Sequence, residues 1–424
     1  MSEADRLNAI LASRAPALAR TLSPLGRALA FPRGIPFQAG EARKARLNGT
    51  IGQVTDGAGN PLPLPVLAEA AGGLDPKVSF LYAPQPGHPE VRELWAARQR
   101  GLAGGATAPC TLPFATHGLT HGLAMAADLF VDADTTVIVP EPSWENYELV
   151  FTLRTGARTA SYAFFDGEGF NLDGLSRTLE GVQGKAVVVL NFPSNPTGYA
   201  PTPAEADAIA ARLAAHTGPL VVIVDDAYQG VVFEEGRLDH SLYWRIAAAV
   251  DPERTVVLKV DGATKELLLF PSRVGFLAAN LVDAEAEAVW TNKLNALVRG
   301  TLGGPPGPSL ALMLAGLRQP DRLQAEIDAR REELAVRYRT LRDALAALDN
   351  PRLRPWPFNS AYFALVGLAD GLDPDVIRQR LIAERSVGLI AIPEVNALRV
   401  AFCSTTPQAL GEIVQHLDEV VASA

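Results

Sequence analysis

The stretch AVVVLNFPSNPTG, residues 186–198, sets the reading of the whole chain. Ala186–Leu190 is a continuous apolar, β-branched run, too short for a helix and with no polar alternation, as a strand covered on both faces requires. The polar turn Asn191-Phe192-Pro193-Ser194-Asn195-Pro196-Thr197-Gly198 follows at once. The same grammar recurs on either side. Thr135–Val139 leads into Pro140-Glu141-Pro142-Ser143-Trp144; Leu220–Val224 into Asp225-Asp226-Ala227-Tyr228; Thr255–Val260 into Asp261-Gly262-Ala263-Thr264-Lys265, with Arg273 eight residues further. Val274–Ala278 is another such run, read with the same set of parallel strands. Helical patterns, Pro203–Ala215 among them, lie between the runs. Strand–helix alternation predicts an α/β layered domain with a mostly parallel sheet, and in such sheets ligands lie beyond the carboxyl ends of the strands.

Outward from this core, residues 1–30 read as one or two amphipathic helices, with Leu7, Ile10, Leu11, Leu18, Leu22 and Leu25 at helical spacing. Residues 49–65, dense in Gly and Pro, read as a connecting loop. A long helix is predicted from about Asp321 to Leu348, with Asp328–Glu333 as its solvated face, and the last hundred residues as a smaller α+β domain. No repeat or low-complexity tract interrupts the chain.

Composition narrows the function. The chain has 424 residues, 48% hydrophobic and 20% charged, enough to bury a large core. Its formal net charge of −9 is wrong for a nonspecific nucleic-acid binder. Two cysteines, Cys110 and Cys403, make no disulfide framework, and the six histidines have no metal-ligand spacing, so no metal site is expected. No apolar run reaches the ~18 residues of a membrane span. The acidic start Met1-Ser2-Glu3-Ala4-Asp5 lacks the features of a signal peptide. The expectation is a cytoplasmic enzyme. A nucleotide-binding reading fails for want of a Gly-rich fingerprint after the first strand.

Taken singly the polar groups are ordinary: Asn-Pro-Thr-Gly is a turn, an acid after a strand caps a helix, Gly118-Leu119-Thr120 starts the helical run to Phe130. Taken in order, from about Tyr82 to Arg399, they resemble the class I/II aminotransferases of the fold-type-I pyridoxal-phosphate enzymes. The segments that carry the resemblance are EPSWENY, NFPSNPTG, DDAYQG, GATK with SRVGF, and LRVAF. It implies a three-layer large domain over 56–314 and a smaller α+β domain from residues 1–55 and 315–424. It also implies pyridoxal 5′-phosphate as cofactor.

By the resemblance, Lys265 is the amine that condenses with the cofactor aldehyde, a reaction open only to a primary amine. Asp225 pairs with the pyridine nitrogen; Tyr228 and Asn195 bond the phenolic oxygen; Trp144 stacks on the ring. Gly118, Leu119 and Thr120 form the phosphate cup at a helix start, with Arg273 and Thr264 alongside. Arg399 grips the substrate α-carboxylate as a planar fork, with Asn195 and Trp144 beside the substrate. Tyr82 reaches the phosphate of a neighbouring subunit, which implies a homodimer with shared active sites. Arg299 either binds the distal carboxylate of a dicarboxylic substrate or is a surface or interface arginine; relatives with an arginine here also take aromatic or neutral amino acids. Departures from the family pattern are Gly262, where a serine is frequent, and Tyr147, where aspartate-type members carry histidine.

The activity implied is transfer of an amino group between an L-amino acid and a 2-oxo acid by a ping-pong cycle. A C–S lyase or an ACC-synthase-like eliminating enzyme on the same scaffold is the alternative. A ligand-sensing domain of a transcription regulator fits less well, because only some 30 helical residues precede the Gly/Pro loop.

Overall fold

The computed structural model describes residues 2–32 and 34–424. Its centre is a seven-stranded sheet built from β1 (Phe114–Thr116), β2 (Thr136–Glu141), β3 (Arg158–Ala163), β4 (Ala186–Asn191), β5 (Leu220–Asp225), β6 (Thr255–Gly262) and β7 (Gly275–Ala279). The spatial order is β1-β7-β6-β5-β4-β2-β3. Strands β6, β5, β4, β2 and β3 are parallel to one another.

The run at 274–278 departs from its reading. The strand begins one residue later, and β7 is antiparallel to both β6 and β1. Between β6 and β7 the chain makes only a helical turn, Ala263–Glu266, and a 3₁₀ turn, Phe270–Ser272, with no crossover helix to carry it back along the sheet. All five residues of β7 are buried, so its hydropathy is that of a parallel neighbour. Strand β3 has no place in the sequence reading because it is a polar edge strand, mostly exposed.

Both faces of the sheet are covered at its centre, which is why the inner strands β4 and β5 are unbroken apolar runs up to their polar ends. Val188, Leu190, Val222 and Val224 enter one core with the helices α2 (Leu172–Glu180), α3 (Pro203–Ala215) and α4 (Tyr243–Ala249). Val187, Val189, Val221 and Ile223 enter the other, against α1 (Gly118–Phe130) and α5 (Ala284–Thr301). Helix α3 is locked at its start by a capping box between Thr202 and Glu205.

A second, four-stranded antiparallel sheet is ordered Leu353–Pro355, Phe363–Leu368, Ala397–Ala401, Ile390–Ile392. It packs with α6 (Pro320–Ala346) and α7 (Pro407–Ala422) around one apolar cluster. The N-terminal part joins it: Leu47–Asn48 pairs with Val387–Gly388, and the Gln38 amide exchanges two hydrogen bonds with Ala391. The two sheets meet at Gly198. Its φ is +72°, and a Cβ there would lie 2.0 Å from the Phe363 carbonyl oxygen, so only glycine fits.

Residues 3–28 form three short helices, broken where Pro16 and Pro24 each begin a new one. No residue of the three is buried, and Ile10, Leu18 and Leu25 stay exposed. From Gly49 to Leu64 the chain is a loop with a single bridge, Thr55 to Pro61.

Candidate active site

The carboxyl ends of β4 and β5 bring Asn191 and Asp225 side by side at a cavity of about 300 Å³, and the end of β6 leads into Thr264 and Lys265 in its wall. Asp225 is fully buried. Its Oδ2 accepts a hydrogen bond from the Tyr147 hydroxyl at 2.7 Å, and its Oδ1 accepts one from the Ala227 amide at 3.1 Å. Burial raises its pKa; the Tyr147 bond, the nearby Lys265 charge and the Ala227 bond oppose the rise. Asn191 Nδ2 donates to the Asp225 carbonyl at 2.8 Å and its Oδ1 accepts from the Asn195 amide at 2.8 Å. One side chain thus holds both loops in place.

Lys265 enters the cavity from the turn after β6, its Nζ 5.0 Å from the centre of the Tyr228 ring. Desolvation lowers its pKa to about 8; Asp225 opposes the shift and Arg273 adds to it. A primary amine held there is largely neutral at mildly alkaline pH, hence nucleophilic. Gly262, where a serine was the expected type, has no room for one: a Cβ would sit 2.5 Å from the Val274 carbonyl oxygen on the neighbouring strand.

The far wall suits a dianion. Helix α1 begins at Gly118, whose φ is +75°, and its free first-turn amides head the helix beside the lining residues Leu119 and Thr120. The Arg273 guanidinium lies so close to Gly118 that a Cβ there would be 2.6 Å from its nitrogen. Thr264 Oγ1 is buried with no partner in the protein.

Opposite stands Arg399, 2% exposed. It donates to Asn195 Oδ1 at 3.1 Å and to the Thr50 carbonyl at 3.0 Å, and its guanidinium lies 4.2 Å from the centre of the Phe363 ring. Its Nε has no partner. Burial pushes its pKa down to about 10. Trp144 meets Tyr147 edge-on, with 5.5 Å between ring centres. With Glu145 and Asn195 it also lines a neighbouring cavity of about 740 Å³. The single Ile35 N–H donates a bifurcated hydrogen bond to both carboxylate oxygens of Glu145, 3.1 Å to each, which pins the N-terminal segment over the site.

The structure thus gathers Lys265, Asp225, Tyr228, Asn195, Trp144, Leu119, Thr120, Thr264, Arg273 and Arg399 around one space, with Gly118 behind Arg273. Tyr82 and Arg299 lie elsewhere. Tyr82 is 101% exposed, so it is no core aromatic, and it shares with the exposed Arg299 a surface cleft of about 350 Å³ that includes Phe80, Leu81 and Gly303. Sequence reasoning missed the roles of Asn191 and Glu145. Tyr147, a departure from the family pattern that leaves open from sequence how Asp225 is buttressed, supplies that support through its own hydroxyl.

The model of the family "Aminotransferase class I and II" matches residues 47–417. The chain is a class I and II aminotransferase. It is 26% identical over 406 residues to the cytoplasmic aspartate aminotransferase of Gallus gallus, covering 90% of this chain and 92% of that one. Its fold is that of an aminotransferase from Anaerococcus prevotii (TM-score 0.78, 20% identity, 91% of this chain and 94% of that one). It is likewise that of a mutant aspartate aminotransferase from Thermus thermophilus (TM-score 0.77, 21% identity, 95% and 100%). As an aminotransferase of this type it uses pyridoxal phosphate. The cavity fits that group: the buried Thr264 hydroxyl, which lines the cavity with Arg273 and the first turn of α1, lacks a partner, and such an atom costs about 1–3 kcal/mol unless a ligand satisfies it. Among the described residues no helix is long and apolar enough to cross a membrane.

Proposed function

We propose that this aminotransferase moves the amino group of an L-amino acid to a 2-oxo acid by a ping-pong cycle centred on Lys265. The observation that carries the reading is one cavity in which a lysine of lowered pKa, a buried aspartate and a buried arginine share the walls. Bound pyridoxal phosphate supplies an aldehyde that condenses with amines and a ring that accepts the electron pair left when substrate Cα loses its proton.

The rest is work for side chains. Lys265 would hold the cofactor, and its amine, when free, would carry the proton to and from substrate Cα. Asp225, whose charged form the Tyr147 hydroxyl and the Ala227 amide favour against burial, would pair with the pyridine nitrogen and keep it protonated. Gly118, Leu119 and Thr120 with Thr264 and Arg273 would hold the phosphate, Tyr228 and Asn195 would bond the phenolic oxygen, and Trp144 would pack against the ring. Arg399, oriented by Asn195, grips the α-carboxylate.

We read the exposed Tyr82 and Arg299 as belonging to the site of a second subunit. The protein is then a homodimer, with Tyr82 at the phosphate and Arg299 reaching a distal carboxylate, which favours aspartate or glutamate. In the same reading residues 56–314 make the cofactor-binding domain, 1–55 with 315–424 the small domain, and the enzyme is cytoplasmic, like its avian relative.

The test is spectroscopic. The purified protein given pyridoxal phosphate should gain a band near the visible edge of the ultraviolet. Borohydride should fix the cofactor to Lys265, and Lys265→Ala should lose both. A panel of amino acids scored by bleaching of that band, with Arg299→Ala beside the wild type, identifies the donor. Parallel double-reciprocal lines would support the ping-pong cycle. Pyruvate and ammonia released without an oxo-acid acceptor would favour elimination instead.

A further inference from the structure

Behind the cavity, on the opposite face of the sheet, lies a second set of buried charges. Lys259, on β6 and 3% exposed, has its ammonium 2.8 Å from Asp226 Oδ2 and 2.5 Å from Asp261 Oδ2. It also donates to the side-chain oxygens of Gln99 and Gln229, at 3.2 Å each. Trp95 Nε1 donates to Asp261 at 3.1 Å, and the Ser241 hydroxyl to Asp226 at 2.6 Å. Taking such ions out of water costs several kcal/mol each, and apolar residues of similar volume would pack the same space at no such cost. Their position offers a reason.

Asp226 directly follows Asp225, and Asp261 lies four residues before Lys265. Side chains alternate along a strand, so Asp225 faces the cavity while Asp226 points away from it. One ammonium therefore joins the end of the strand that carries Asp225 to the end of the strand that leads to Lys265. The Asp226 amide reinforces the join, donating to the Val260 carbonyl at 2.9 Å. The helix Pro89–Leu102 extends it past the lysine: Gln99 Nε2 and Arg98 Nε both donate to Glu266, at 3.1 and 2.8 Å. Lys265 is thus anchored on both sides in sequence by groups that never touch the cavity.

We propose that Lys259 is a positioning residue, which by pairing with Asp226 and Asp261 fixes the separation of Asp225 and Lys265 from behind the sheet. The inference rests on the reading of those two as the cofactor's partners. Replacing Lys259 alone would strand two buried carboxylates, so the informative variant is the charge-free Asp226→Asn/Lys259→Met/Asp261→Asn. The milder Asp226→Asn removes the charge that pairs Lys259 with the Asp225 strand and decides the matter if the triple variant does not fold. The readouts are the Kd for pyridoxal phosphate, the visible circular dichroism per bound cofactor, which reports how the ring is held, and the melting temperature of the cofactor-free protein.

The triple variant should bind about tenfold or more weakly and Asp226→Asn about threefold, as expected for lost charge-assisted hydrogen bonds, with the dichroism reduced in both. A Kd within about twofold of wild type together with unchanged dichroism, whatever the melting temperature does, would reduce the triad to core packing and overturn the proposal. A wild-type protein that takes up no cofactor would overturn the clamp and the reading of the cavity together.

Discussion

At the residue scale burial presses on both the amine and the acid of the site. Desolvation pushes Lys265 toward neutrality and raises the pKa of Asp225, while the Tyr147 hydroxyl favours the charged carboxylate. Removing that hydroxyl in Tyr147→Phe leaves a buried carboxylate short of one donor. Cofactor affinity should fall by about tenfold or more, from a bond worth about 1.5–3 kcal/mol when one partner is charged; fluorescence titration with pyridoxal phosphate measures it. An affinity equal to wild type would mean that Tyr147 only fills space.

The lowered pKa of Lys265 also has a stability consequence with a definite sign. Between about pH 8 and the usual lysine range the unfolded chain binds a proton that the cofactor-free native state does not. Stability therefore rises with pH across that window. Well below pH 8 the native state carries the full penalty, roughly 3 kcal/mol at one pKa unit per 1.36 kcal/mol. Cofactor-free Lys265→Met should accordingly exceed the wild type in urea-unfolding free energy at pH 7, with the gap narrowing above pH 8 and closing only as the pH reaches the ordinary lysine value of 10.5. A gap that stays constant with pH would contradict the burial argument.

At the scale of elements, the site is the meeting of three strand ends and one helix start, and glycines set how closely they approach. Gly262 lies against β7, and Gly198 against the Phe363 carbonyl. Gly262→Ser installs the residue type frequent in relatives, yet it should destabilise by about 1–3 kcal/mol through overpacking rather than strengthen phosphate binding. Thermal melts and cofactor titration of that variant separate the two outcomes. The strands themselves were legible because a doubly covered sheet demands unbroken apolar runs. The direction of β7 was not: burial is the same whichever way a strand runs. The short turn-bearing connection from Ala263 to Val274 decided it.

At the scale of the whole molecule, Phe80, Leu81 and Tyr82 stand exposed beside Arg299, two residues of the expected site among them and neither near its own cavity. If a second copy covers this face, Lys265→Ala and Tyr82→Ala complement each other. Neither variant alone should show full activity. Mixing them after subunit exchange should restore activity above both parents, up to about a quarter of wild type, since random pairing leaves that share of sites intact. No gain on mixing, with exchange verified by mass, would place Tyr82 outside the shared site.

The sequence by itself determined the layered α/β fold, the family and the order of polar groups along the strand ends, because covered strands and the turns that follow them write local patterns. Only the tertiary structure decided what stands behind those groups. Tyr147 beneath Asp225, Asn191 between two loops and the Lys259 triad across the sheet join residues far apart in the chain. Such pairings leave no periodicity to read, since they exist only once the strands lie side by side.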